Sequence, residues 1–71
     1  MSSVTQEFFV IIERDEDGYY VGEVPQLRAC YSQGRTVDEL IANIKEVIEI
    51  CLEERGGEPV PEIIGFQKVV V

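Results

Sequence analysis

The sequence predicts an α+β fold with the element order β-β-β-α-β, one helix packed on a small sheet. Three observations predict it: an Asp-Gly turn between two β-rich runs, a single long amphipathic helix, and a last run of β-branched residues. At 71 residues the chain is read as one domain spanning 1–71, about half the usual domain length. A chain this short buries only roughly 60% of the surface its unfolded form exposes, so the expected core is thin and gains from self-association. Hydrophobic residues make up 45% and charged residues 28%, a balance that excludes disorder. No apolar run approaches the ~20 residues that span a bilayer. The opening Met1-Ser2-Ser3-Val4-Thr5-Gln6-Glu7 lacks the basic and apolar regions of a signal peptide. A reducing, cytoplasmic setting is therefore expected, with Cys30 and Cys51 as free thiols.

Glu7 to Glu13 reads Glu-Phe-Phe-Val-Ile-Ile-Glu, rich in the β-branched and aromatic residues of a strand. Asp17-Gly18 is a turn signal, because glycine accepts positive φ without a steric penalty. Tyr19 to Val24 then forms the second strand of a hairpin, closed by Pro25, which has no N–H for the ladder. Arg28 to Ser32 reads as a weaker third strand, ended by Gln33-Gly34-Arg35. Thr36-Val37-Asp38-Glu39 fits a capping box, Thr36 capping a free backbone N–H and Glu39 reaching back to the Thr36 N–H. Val37, Leu40, Ile41, Ile44, Val47, Ile48, Cys51 and Leu52 recur at three- and four-residue steps and make one apolar stripe, which Gly56-Gly57 ends. Beyond a loop with Pro59 and Pro61, Gly65 to Val71 reads as the last strand.

One helix covers one face of a sheet, so the other face is expected to alternate to polar residues. The first strand does not alternate: Phe9 and Ile11 lie on one side and Phe8, Val10 and Ile12 on the other. Gly22 marks a close approach of the helix, which puts Tyr20 and Val24 on the helix side. Phe8, Val10, Ile12, Tyr19 and Val21 are thereby expected on the uncovered face as an oligomer interface, most simply a two-fold homodimer on that face or on a sheet edge. If the helix packs on the Val10 side instead, the interface moves to Phe9 and Ile11.

Fourteen acids against six bases leave a net charge of −8, which repels phosphate backbones and anionic membranes and favours a basic protein partner. Asp15, Glu16, Asp17, Glu46, Glu49 and Glu53 are the candidate partner-binding acids. The first three read structurally as a solvated turn, since an EF-hand loop needs a glutamate at its twelfth position and Gln26 stands there. The helix glutamates read structurally as a solvated face. With no histidine and only two cysteines, a structural zinc site and Ser–His–Asp or Cys–His catalysis are excluded. No catalytic residue, metal or cofactor is expected.

The run Asp15 to Pro25, followed by Leu27, Cys30, Gly34, Thr36 and Glu39, resembles the HicB family of antitoxins over roughly Phe8 to Glu54. Ala29 stands where that family usually has glycine, Tyr19 where a second glycine is frequent, and Arg35 where an acid is common. The resemblance implies a partly degraded ribonuclease-H-like fold that binds and neutralises a small basic HicA-type RNA-cleaving toxin. Many members add a C-terminal DNA-binding domain, and the sequence to Val71 reads without one. An active ribonuclease H gathers several carboxylates around two metals; here the first strand has no interior acid and the last has none. Three readings follow: an antitoxin module, a solo self-associating protein, or, least favoured, a residual nuclease.

Overall fold

A computed structural model describes residues 6–71; the reading of the opening Met1 to Thr5 lies outside them. Strands β1 (Ile11–Arg14), β2 (Tyr20–Glu23) and β3 (Tyr31–Gly34) precede one helix, α1 (Val37–Arg55). The sheet is antiparallel in the order β1-β2-β3. The hairpin forms where the Asp-Gly signal placed it. Gly18 has φ +87°, and the Asp15 carboxylate accepts from the N–H groups of Asp17 (3.0 Å) and Tyr19 (2.9 Å), so an Asx turn holds the reversal.

The helix is the element the sequence specifies most fully. Thr36 sits in extended backbone, and its Oγ1 accepts from the Glu39 N–H at 3.0 Å. The Glu39 carboxylate reaches back one residue further than the capping box requires, accepting from the Arg35 N–H at 2.9 Å. Gly56, with φ +65°, ends the helix, and its N–H donates to the Glu53 carbonyl.

The strands are shorter than their propensities. β1 starts at Ile11 rather than Glu7 because β2 has nothing to offer residues 7–10. The Val24 N–H donates to the Cys30 carbonyl at 2.9 Å, continuing the β2–β3 register, while on the β1 side the next ladder position is Pro25, which has no N–H to give. The Phe9 N–H is satisfied instead by the Gln26 side-chain oxygen at 3.0 Å. β3 starts at Tyr31 rather than Arg28 because Ala29 is in the left-handed region at φ 56°, which ladder pairing does not accommodate.

The expected last strand over Gly65 to Val71 does not form. A β-rich heptapeptide is a strand only when a neighbouring edge satisfies its backbone, and none does. Phe66 meets Phe9 edge-to-face at 5.6 Å; beyond it the chain leaves the body, with Val69 74% and Val70 84% exposed.

Val24, Leu27, Cys30, Leu40 and Ile44 are the buried apolar residues, flanked by half-buried Phe8, Val10, Val47, Ile48, Cys51 and Leu52. The core thus lies between α1 and the loop that joins β2 to β3. The helix packs on β3 and β2 and does not reach β1. Val37, at the end of the predicted stripe, is 41% exposed for the same reason that Ile50 is: nothing packs there.

Candidate functional site

The register decides which face each strand residue occupies. Ile12 pairs with Gly22 and Gly22 with Ser32, and residues directly opposite share a face. A Cβ on Gly22 would lie 2.9 Å from Val10 Cγ1 and 3.1 Å from both Leu40 methyls. Gly22 is therefore the close-approach glycine, and it brings Val10 and Ile12 to the helix side. The expected grouping is corrected here: Phe8 and Val10 pack against the core and Ile12 shares their side, whereas Val21 lies on the opposite face. Ile12 is nonetheless half exposed because the helix stops short of β1.

The open face carries Ile11, Val21 and Tyr31, with Glu13 opposite Val21 and Glu23 opposite Ile11. These five residues line a shallow concavity of about 280 Å³. Glu23, on the central strand, stands between Ile11 and Tyr31, so apolar and acidic side chains alternate across the face. Sequence reasoning missed Glu13, Glu23 and Tyr31 because a face is defined by register, which no single strand reveals. Phe9 continues the strip toward Phe66.

The candidate acids do not form one cluster. The turn packs against the start of the helix: Arg35 stacks over the Tyr19 ring at 5.8 Å, and Arg14 over Tyr20 at the same distance. Two guanidiniums thus flank Asp15, Glu16 and Asp17, and Asp15 is committed to holding the turn. Glu46, Glu49 and Glu53 are exposed on the outer face of α1, Glu53 lying about 24 Å along the axis from Val37 at 1.5 Å per residue. The helix glutamates, with Glu54 and with Lys45 on the same face, form the second acidic surface.

Near the end of α1, Leu27, Arg28, Ala29, Cys51, Glu54, Arg55 and Glu58 line an open groove of about 350 Å³. Its charges are mixed, and no nucleophile in it has a base. Both cysteines are free, Cys30 buried and Cys51 half-buried. Burial, then the neighbouring Cys51 thiol, pushes the Cys30 thiol up to about 11, so it is a protonated core residue at neutral pH. Among the described residues no three His, Cys, Asp or Glu side chains are grouped to hold a metal ion, and no helix is long and apolar enough to cross a membrane.

Known proteins share this pattern across nearly the whole chain. A UPF0150 protein of Synechocystis is 71% identical over 66 residues, covering 93% of this chain and 96% of its own. One from Archaeoglobus fulgidus is 46% identical over 65 residues, 92% of this chain and 94% of its own. A third, from Thermotoga maritima, is 42% identical and covers 100% of this chain and 97% of its own. No solved structure matches significantly. The family model for the HicB-like antitoxin of bacterial toxin–antitoxin systems matches residues 8–70, so the chain, with its hairpin and its capped helix, belongs to the HicB-like antitoxin family.

Proposed function

We propose that the chain is a non-catalytic antitoxin that neutralises a small, basic, HicA-type RNA-cleaving toxin by docking on it in the cytoplasm. The observation that carries this reading is the antitoxin family match over residues 8–70. The net charge of −8 supports a basic protein as the ligand and argues against nucleic acid. Glu46, Glu49 and Glu53 steer the approach, and the open face offers Ile11, Val21 and Tyr31 interleaved with Glu13 and Glu23, a mixed apolar and acidic surface suited to a basic protein. Asp15, Glu16 and Asp17 contribute less, because Arg14 and Arg35 flank them.

Co-expression in a bacterial host with a small basic HicA-type toxin tests the reading. Growth arrest by that protein is expected to be relieved, and the two to purify as one complex. Persistent arrest with no complex overturns it.

A second reading has its own observation. The unpaired Phe66 to Val71 segment and the uncovered β1 fit a self-associating protein, and self-association is compatible with the antitoxin role.

A further inference from the structure

The two sheet edges are not equivalent. β3 is covered: the helix packs on it, and the Asn43 amide donates to the Gln33 carbonyl at 2.9 Å. β1 is bare. The helix does not reach it, all four of its residues are exposed, and its outer backbone groups have no partner among the described residues. Nor does it carry a proline or bulge to discourage pairing.

The C-terminal segment is the complementary half. Among the described residues no backbone hydrogen bond joins 59–71 to the rest of the chain. Phe66, Val69, Val70 and Val71 are all exposed. A compact chain of this length has a radius of gyration of about 11 Å; this one measures 13.8 Å, with a longest extent of 44 Å. The segment touches its own body at Pro59, Val60 and Phe66, and beyond Phe66 it projects from it.

We propose that residues Phe66 to Val71 of one copy add as a fourth strand to the β1 edge of a second copy, and reciprocally, giving a two-fold dimer by strand exchange. The inference rests on the self-association reading and fixes its mode. Alternation supports it. In an extended strand Phe66, Lys68 and Val70 share one face and Gln67, Val69 and Val71 the other; with the first set on the partner's open face, Lys68, the segment's only charged side chain, lies on the face that carries Glu13. Val69 and Val71 fall on the helix side, over the part of Ile12 that α1 leaves bare. This explains why β1 is apolar on both faces.

The alternative two-fold contact, open face on open face, sets Glu13 and Glu23 against their own copies and is disfavoured by like-charge repulsion. Strand exchange leaves that face free for a toxin. Each added strand spans ~20 Å at about 3.3 Å per residue, and the reciprocal exchange uses both segments and both β1 edges, so it closes as a dimer.

Light scattering and amide hydrogen exchange on the full chain test the proposal. The expected result is a particle of about 16 kDa, twice the 8.0 kDa chain, in which alternate amides of the Gln67 to Val71 run, one of Val69 and Val70 among them, exchange at least about tenfold slower than in the diluted monomer. Val69→Pro and Val70→Pro are compared, since one of the two removes a ladder N–H, and that one is expected to give a monomer with unchanged helix content. A dimer with an unprotected segment, persisting in both proline variants, overturns strand exchange and leaves self-association standing. A monomer with a protected segment shows a fourth strand within one chain and overturns both, as does a monomer with an unprotected segment.

Discussion

Two small residues mark where this fold tolerates least and where it stores strain. A Cβ on Gly34 would stand 2.6 Å from the Leu40 backbone nitrogen and 3.0 Å from Leu40 Cα. Those are backbone atoms in the first turn of α1, which no rotamer change moves. Gly34→Ala is therefore expected to lose about 2 kcal/mol or more, a fall in Tm on the order of 10 °C for a domain this small. Gly65→Ala, which meets nothing within 4 Å, is the control and is expected to be near neutral. Ala29 is the converse case. Its φ of 56° is left-handed, so Ala29→Gly is expected to raise stability by a few tenths to about 1 kcal/mol, strain relief outweighing the added freedom of the unfolded chain. Urea denaturation of the three variants side by side checks both expectations.

Cys30 gives the chain an alkaline limit. Its thiol is raised from 9.0 to about 11, chiefly by burial. The unfolded chain releases that proton near pH 9 and the folded chain does not, so the thiol's contribution is complete below pH 9 and declines as pH climbs toward 11. Urea midpoints measured from pH 8 to 11 are expected to fall more steeply in the native chain than in Cys30→Ala; equal slopes would assign the decline to other groups.

At the scale of elements, what was legible followed from how local each signal is. The helix was read to its ends because its cap, stripe and terminating glycine all lie within its own sequence. The hairpin turn was read for the same reason. Thr36→Ala tests that locality: losing the Oγ1 acceptor for the Glu39 N–H is expected to cost about 1 kcal/mol and to fray the first turn, read by amide exchange at Asp38 and Glu39. Strand limits were misread because a strand is a relation between segments. Gln26, a polar residue that no motif singled out, replaces the ladder at Phe9 and so shortens β1, and its long-range bond has no sequence signature. The Phe8, Val10 and Ile12 side was misassigned because the face depends on the Ile12 and Gly22 pairing, and β-propensity carries no register.

At the scale of the molecule, charge was legible as a total but not as a map. The net charge of −8 pointed to a basic partner, yet only the folded chain shows that Arg14 and Arg35 sit on the aromatic rings at the acidic turn while Glu46, Glu49 and Glu53 stand exposed along the helix. This distribution makes the steering surface specific. Exposed carboxylates in water contribute little to the strength of a docked complex, but their summed field speeds encounter and is screened beyond a Debye length of about 8 Å at physiological salt. The association rate with a basic toxin is therefore expected to fall at least about tenfold between 0.05 and 0.5 M salt, with a much smaller change in dissociation rate. Replacing Glu46, Glu49 and Glu53 together by glutamine is expected to flatten that salt dependence, and Glu16→Gln with Asp17→Asn to leave most of it. Tyr31→Ala, which removes an apolar residue from the open face, is expected to raise the dissociation rate and leave the salt slope unchanged. Stopped-flow association at several salt concentrations separates the two contributions. A salt-independent rate in the native chain would mean that the acidic helix face takes no part in recognition.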